Sequence, residues 1–284
     1  HPTRPDPMLK QRIITALLML AVLLPALFHS DPRPFCLLTL LLIVAGGWEW
    51  GRLNGLAFGA ALACGLGLGA LRGLAWWRFD LAQAQPLLWQ VTGIFWLVAA
   101  PLLLRAGVAG WPRIAPALRL CIGLTLIGLA WWAMAQARVQ GVALLLSIMA
   151  LVWTADIAAY FGGKAFGRRK LAPSISPGKS WAGVYSGAIG VLLLAACWTW
   201  AEQRYGTPGA SLYGRLWAMG PLAMLGALLL LTAMSVCGDL IESLVKRSAG
   251  VKDSSQLLPG HGGVLDRVDA LLPVLPLGMM LATL

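Results

Sequence analysis

Nine apolar runs, separated by short polar segments, dominate the pattern of hydrophobic and polar positions along the chain. The runs cover residues 13–29, 35–50, 54–75, 87–105, 114–135, 140–160, 181–201, 216–241 and 264–284. Because a helix needs about 20 apolar residues to cross the hydrocarbon core of a bilayer, each run is close to the length of one membrane span. The pattern therefore predicts an all-α, polytopic integral membrane protein with about nine transmembrane helices.

Composition supports this prediction and excludes several other classes of protein. The chain has 284 residues, of which 59% are hydrophobic and 12% are charged. A soluble domain carries about 25% charged residues, so this chain has too few polar side chains to cover a water-facing surface. A soluble globular enzyme, a disordered chain and a secreted disulfide scaffold are thereby excluded.

The net charge of +11 indicates an orientation in the membrane, not a nucleic-acid partner. Lys and Arg are spread thinly between the apolar runs, and with nine spans most of them lie on the side of the N-terminus. The positive-inside rule then predicts a cytoplasmic N-terminus, and no binding of nucleic acid is expected. In this topology the two loops richest in charge, 161–180 and 238–269, both face the cytoplasm.

These loops divide the chain into regions with different expected roles. Residues 1–7 read as foreign to the natural chain, because Met8 and the Leu-Lys-Gln-Arg that follows it look like a natural start. Residues 8–110 are expected to form N-terminal transmembrane helices that serve packing and oligomerisation. Residues 111–284 are expected to form a transmembrane catalytic region that carries both loops.

Acids are rare, with eleven Asp and Glu in all. Six of them lie in or beside the two loops, namely Asp156, Asp239, Glu242, Asp253, Asp266 and Asp269. Asp156 is near the end of an apolar run, where an acid at membrane depth is costly and is a functional candidate. The other five are interpreted as solvated residues at loop positions, namely Asp6, Asp31, Glu49, Asp80 and Glu202.

The charged residues of loop 238–269 predict a site for metal and phosphate. Asp239, Glu242 and Lys246 have the i, i+3, i+7 spacing that puts side chains on one face of a helix. The glycine-rich segment 259–263 lets backbone N–H groups approach a phosphate. Mg²⁺ is usually held by carboxylates together with substrate phosphates, and Lys and Arg suit polyphosphate. The residues therefore indicate Mg²⁺-dependent phosphoryl or nucleotidyl transfer, without selecting a nucleotide.

Loop 238–269 also contains one long motif, Ser243-x2-Lys246-Arg247-x4-Lys252-Asp253-x5-Pro259-Gly260-His261-Gly262-Gly263-x2-Asp266-Arg267-x-Asp269. This spacing closely resembles the signature of the phosphatidate cytidylyltransferase (CDP-diacylglycerol synthase) family of bacterial type. A second block of that family is similar to Asp156-x2-Ala159-Tyr160-Phe161-Gly162-Gly163-Lys164 with Leu171-Ala172-Pro173-x-Ile175-Ser176-Pro177-x-Lys179-Ser180. Family members commonly carry Glu-Gly after that block, whereas this chain has Ala182-Gly183 after Trp181.

The resemblance implies transfer of CMP from CTP to phosphatidate, giving CDP-diacylglycerol and pyrophosphate. It implies an active site on the cytoplasmic side of a bacterial inner membrane, and we also expect a homodimer. Mg²⁺ would occupy one of two metal positions, and no ion is assigned to the second. The implied metal ligands are Asp239 and Asp266, with Asp156 as a candidate third. The implied catalytic residues are these three acids and Lys246, and the substrate-binding residues are Lys164, Ser176, Lys179, Ser243, Arg247, Lys252, Asp253, His261, Gly262, Gly263, Arg267 and Asp269.

Two alternatives remain open at this point. The acceptor could be another phosphorylated lipid, such as an isoprenoid phosphate. From a different class, the chain could be an ion-coupled transporter that uses Asp156 as its coupling site. The clustering of acids at one membrane face, and the absence of an inverted repeat in the sequence, favour surface chemistry over transport.

Overall fold

The computed structural model describes residues 7–284, with side chains from residue 13 onward. Residues 1–6 lie outside this range, and with them most of the segment 1–7 that the sequence sets apart. The elements are α1 (Pro7–Phe28), α2 (Arg33–Leu53), α3 (Phe58–Arg78), α4 (Pro86–Gly110), a 3-10 turn (Trp111–Arg113), α5 (Pro116–Gln140), α6 (Val142–Phe166), β1 (Lys170–Ala172), β2 (Ser176–Ser180), α7 (Trp181–Tyr205), α8 (Leu212–Ala218), α9 (Pro221–Ser248), α10 (Leu265–Val268) and α11 (Leu271–Ala282).

Within the described residues, seven helices are long and apolar enough to cross a membrane. They are Arg33–Leu53, Phe58–Arg78, Pro86–Arg113, Pro116–Gln140, Val142–Phe166, Trp181–Tyr205 and Pro221–Ser248. The prediction of an all-α polytopic membrane protein is confirmed, since the β-structure in the described chain is one two-stranded hairpin and an isolated bridge. The count of nine spans stays a prediction, because these seven include neither α1, of which Ile13–Phe28 was assessed, nor the twelve-residue α11, Leu271–Ala282.

The last apolar run forms a nearly continuous helix that packs in the main apolar core. Asp269 and Ala270, which separate α10 from α11, both keep right-handed helical dihedral angles. The backbone therefore runs almost continuously over Leu265–Ala282, a length of about 27 Å at the helical rise. Most of α11 is buried and belongs to the main apolar core, which also includes Trp131 and Leu144.

Two helix pairs pack with their backbones in close contact because glycine lies at the crossing. A Cβ on Gly65 of α3 would come within 2.3 Å of the carbonyl oxygen of Val44 in α2. A Cβ on Gly183 of α7 would come within 2.9 Å of the Ala159 carbonyl oxygen in α6, and one on Gly162 of α6 within 1.8 Å of the Ser186 hydroxyl in α7. The pairs α2–α3 and α6–α7 accordingly form the most extensive helix–helix contacts of the described chain.

The boundaries of both polar loops differ from the prediction. Helix α6 continues through the start of the predicted loop 161–180 as far as Phe166, and the antiparallel pair β1–β2 follows, with Lys170 opposite Ser180. Helix α9 likewise continues through residue 238 to Ser248. Hydropathy marks where a helix leaves an apolar environment, whereas the backbone hydrogen bonds that define the helix continue into the polar region.

Candidate active site

A pocket of about 530 Å³ opens between α6, the β1–β2 hairpin, α7 and α9. It brings together four predicted site residues from the second sequence block, Asp156, Lys164, Ser176 and Lys179, with Asp239 of α9. Its remaining wall is largely small or apolar, with Ala155, Val184 and Val236 among the lining residues. The pocket thus combines a charged part with an apolar part, at the end of the bundle where α6 ends and α7 begins.

An ion pair crosses this pocket and joins the hairpin to α9. Lys179 Nζ lies 2.6 Å from Asp239 Oδ2, and both side chains keep about a quarter of their surface exposed. The Ser243 hydroxyl, one helical turn beyond Asp239, lies 3.4 Å from Asp239 Oδ1. The structure therefore places an ammonium group beside a predicted metal ligand, where it can also meet an anionic substrate.

Asp266 lies at the centre of a second network, at the start of α10. Its Oδ1 is 2.6 Å from Lys246 Nζ, and its Oδ2 accepts from Gly263 N at 2.7 Å and from the backbone and hydroxyl of Ser254 at 2.9 Å each. Although burial alone would raise the pKa of Asp266, the bonds from Lys246 and from the two backbone N–H groups lower it to about 2. Asp266 is thus held as an anion, and Lys246 also pairs with Glu242.

Asp269 lies close enough to Asp239 for the two acids to interact. Burial, followed by the negative charge of Asp239, raises the pKa of Asp269, while a backbone bond from Ala270 and the charge of Lys179 act in the opposite direction. No group of three or more His, Cys, Asp or Glu in the described chain is arranged to hold a metal ion. Acids from α9 and α10 therefore approach one another without forming a complete ligand cage.

The other predicted substrate-binding residues surround these networks at the surface. Ser243 lies on α9 beside Asp239, and His261 and Gly262 are half-buried in the glycine-rich segment. Four charged residues are exposed and do not line the pocket, namely Arg247, Lys252, Asp253 and Arg267.

The glycines of segment 259–263 are required by packing within the chain. Gly262 has φ +80°, and a Cβ there would come within 2.7 Å of Asp266 Oδ2. A Cβ on Gly263 would come within 2.1 Å of the Ser254 hydroxyl and 2.4 Å of Glu49 Oε1. These contacts alone explain two of the glycines, while the approach of a phosphate to their N–H groups stays a prediction.

The sequence interpretation was wrong for two acids. Glu49 is fully buried in α2 and Glu202 is buried in α7, whereas both were expected to be solvated at loop positions. Glu49 lies within the apolar run 35–50, so the membrane-depth argument used for Asp156 should also have selected it. Glu202 accepts hydrogen bonds from the backbone N–H and the hydroxyl of Ser211, at the far end of α7.

Comparison with known proteins shows the family to which the chain belongs. Residues 10–284 match the model of the cytidylyltransferase family. The chain is 42% identical over 284 residues to a phosphatidate cytidylyltransferase of Pseudomonas aeruginosa, and the match covers 95% of each chain. It is 36% identical over 298 residues to a phosphatidate cytidylyltransferase of Haemophilus influenzae, covering 95% of this chain and 96% of that protein. A shorter match, 38% over 151 residues, joins it to a phosphatidate cytidylyltransferase of Staphylococcus aureus.

Proposed function

The chain belongs to the cytidylyltransferase family, and we infer that it is an enzyme which converts CTP and phosphatidate to CDP-diacylglycerol and pyrophosphate. The observation that carries this inference is the match to the Pseudomonas aeruginosa enzyme over 95% of both chains. In the reaction, a phosphate oxygen of phosphatidate attacks the α-phosphorus of CTP. The new phosphorus–oxygen bond forms as the bond to the β-phosphate bridge breaks, and pyrophosphate leaves.

The mixed character of the pocket suits this pair of substrates. A phosphate nucleophile is already anionic, so the protein needs no strong base and must instead bring two anions together. Lys179 and Lys164 supply positive charge at the polar part of the pocket. The apolar part, together with the exposed side chains of Tyr160, Phe161 and Tyr185, provides surface along which acyl chains can enter from the bilayer.

We further propose that Asp239, Asp266 and Asp156 hold Mg²⁺ together with substrate phosphates. Asp156 and Asp239 line the same pocket, and carboxylate oxygens are the donors that Mg²⁺ takes from proteins. The repulsion between Asp239 and Asp269 is the kind of interaction that a bound cation relieves. When bound, the ion would neutralise phosphate charge. Asp266 stays a proposed ligand, although Lys246, Gly263 and Ser254 occupy its oxygens here.

The orientation and assembly of the enzyme are also proposals. The excess of Lys and Arg on one side supports an active site that faces the cytoplasm, where CTP is made, and the bacterial relatives support the inner membrane. The exposed apolar residues of α1 and α3 leave surface for lipid or for a second copy of the chain, and we propose a homodimer.

The test is release of pyrophosphate from CTP by the purified protein with phosphatidate and Mg²⁺. Asp239→Asn is expected to lower kcat/KM by about 100-fold or more, the order found when one key electrostatic contact is removed. The matched control is Asp80→Asn, since Asp80 is exposed and its side chain bonds only to Ala82 N within the described chain. Equal rates for Asp239→Asn and the wild type would refute the role of this carboxylate.

The same preparation separates the alternatives. Equal use of UTP and CTP would refute the nucleotide assignment, and preference for an isoprenoid phosphate would replace phosphatidate as acceptor. Ion-dependent uptake into liposomes without any nucleotide, abolished by Asp156→Asn, would revive the transporter.

A further inference from the structure

We propose that Glu49 is a positioning residue for nucleotidyl transfer, because its carboxylate fixes the shape of the segment 254–265 that carries the glycine-rich turn. Glu49 lies on α2 and has no exposed surface. Its four hydrogen-bond partners lie between 205 and 216 residues away in the sequence. The proposal rests on the proposed function, since it concerns the alignment of Asp266 and Lys246 for that reaction.

One carboxylate joins both ends of this segment. At the first end, Ser255 donates its hydroxyl to Glu49 Oε1 at 2.6 Å, and the Ser254 hydroxyl lies 3.2 Å from Oε2. At the second end, the backbone N–H groups of Val264 and Leu265 donate to Oε1 and Oε2 at 2.9 and 2.8 Å. Ser255 and the two backbone N–H groups fill three of the about four acceptor sites of the carboxylate, and the Ser254 hydroxyl, whose single proton is shared with Asp266, lies against the fourth. Glu49 therefore acts as a buried anchor within the protein.

The anchor is connected directly to the predicted catalytic groups. The Ser254 hydroxyl lies between two carboxylates, 3.2 Å from Glu49 and 2.9 Å from Asp266. Gly263 packs so closely on Glu49 that no side chain fits, and its N–H donates to Asp266. Asp266 in turn holds Lys246. A movement of Glu49 would thus be transmitted to Asp266 and Lys246 through contacts that have no free space.

Replacement by glutamine changes this anchor with almost no change in volume. In Glu49→Gln, one carboxylate oxygen becomes an NH₂ group, which must face the N–H of either Val264 or Leu265. Serine hydroxyls can rotate to accept a hydrogen bond, but a backbone N–H cannot. The end of the segment at Val264 and Leu265 must therefore move away from the new side chain at position 49. A displacement of about 1 Å at an active site can cost about 100-fold in rate.

A purely structural role for Glu49 is the competing explanation, and Glu202→Gln is the matched control for it. Glu202 is also a buried acid on a long helix, and it also accepts from a backbone N–H and a serine hydroxyl. It lies about 28 Å along α7 from Gly183 of the pocket wall. Glu202→Gln is expected to lower the midpoint of thermal unfolding while leaving kcat within about twofold of the wild type.

The experiment measures kcat, KM for CTP and KM for phosphatidate below the unfolding temperature of every variant. We expect Glu49→Gln to lower kcat by about 10- to 100-fold, with KM for phosphatidate within about twofold, and Glu49→Asp to recover part of the loss. A kcat for Glu49→Gln within twofold of the wild type, or an equal loss in Glu202→Gln, would overturn the proposal. If the wild type itself lacks activity, the proposed function fails instead.

Ser255→Ala keeps the proposal testable even if Glu49→Gln does not fold. It removes one donor to Glu49 Oε1 from a half-buried position, together with the acceptor of the exposed Leu257 N–H, which can bond to water instead. We expect kcat to fall about threefold to tenfold, as for the loss of one hydrogen bond. An unchanged kcat in a folded Ser255→Ala variant would contradict the positioning role.

Discussion

The tight contact at Gly263 makes one substitution especially informative. In Gly263→Ala, the added Cβ would lie 2.1 Å from the Ser254 hydroxyl oxygen and 2.4 Å from Glu49 Oε1. Real Cβ atoms essentially never approach another atom closer than 3.0 Å, so Ser254 would have to retreat by about 0.9 Å. Overpacking of this kind costs about 1–3 kcal/mol. If the retreat also breaks one hydrogen bond to Glu49 or Asp266, about 1.5–3 kcal/mol is added.

The assay is thermal unfolding of the purified protein in detergent, together with kcat for pyrophosphate release. Gly263→Ala is expected to lower the unfolding midpoint by several degrees and kcat by more than tenfold, because the displaced groups hold Asp266. Gly226→Ala is the control, since Gly226 lies on α9 with no atom within 4 Å of its added Cβ. Alanine there should stabilise the helix by about 0.4–1 kcal/mol and leave kcat unchanged.

A second substitution tests whether the clash has been identified correctly. Ser254→Ala removes the oxygen that lies nearest to the new Cβ, although the contact with Glu49 remains. The stability losses of Gly263→Ala and Ser254→Ala should therefore add to more than the loss in the double variant. Additive losses, or a Gly263→Ala variant with wild-type midpoint and kcat, would refute the reasoning from this geometry.

Three further predictions concern separate parts of the structure. Lys179→Met should lower kcat/KM about 100-fold, as measured by steady-state kinetics. The unfolding midpoint measured by calorimetry should change little, because the ion pair of Lys179 with Asp239 is partly exposed. Gly162→Ala should destabilise the α6–α7 pair by about 1–3 kcal/mol, and Ser186→Ala should recover part of that loss in a double variant, as measured by unfolding. The lowered pKa of Asp266 contributes stability that is present above its unfolded value of 3.8 and is lost as the pH falls towards about 2. Acid unfolding without Mg²⁺ should show about 2 kcal/mol of this loss in the wild type and none of it in Asp266→Asn.

Membrane spans could be predicted from the sequence because lipid exposure requires long apolar runs. The run 181–201 corresponds to α7, and the run 114–135 corresponds to α5. The exact ends could not be predicted, as α9 shows, because its last turns carry polar residues that are helical but lie beyond the apolar run. The short final helix was also unexpected, since an apolar run buried among other helices looks the same in sequence as one that faces lipid.

Candidate site residues could be selected from the sequence, but their contacts could not. The spacing of Asp239, Glu242 and Lys246 correctly placed the three on one continuous helix. The partners of these residues depend on how distant elements pack, so neither the pair of Asp239 with Lys179 nor that of Lys246 with Asp266 follows from spacing. Glu49 could have been selected from its place in an apolar run, but its partners could not, because its donors lie more than 200 residues further along the chain.

The acids of this site outnumber the two lysines that form ion pairs with them, although the chain as a whole is basic. The net charge is +11, yet the acids Asp156, Asp239, Glu242, Asp266 and Asp269 outnumber the paired lysines Lys179 and Lys246. Because Lys179 and Lys246 are already paired with carboxylates, much of their positive charge is neutralised before the phosphates of CTP and phosphatidate bind. The imbalance supports the proposal that Mg²⁺ joins the substrates to the acids. It follows that omission of Mg²⁺ should weaken binding of CTP in the wild type much more than in Asp239→Asn, and equal weakening in both would contradict a metal role for Asp239.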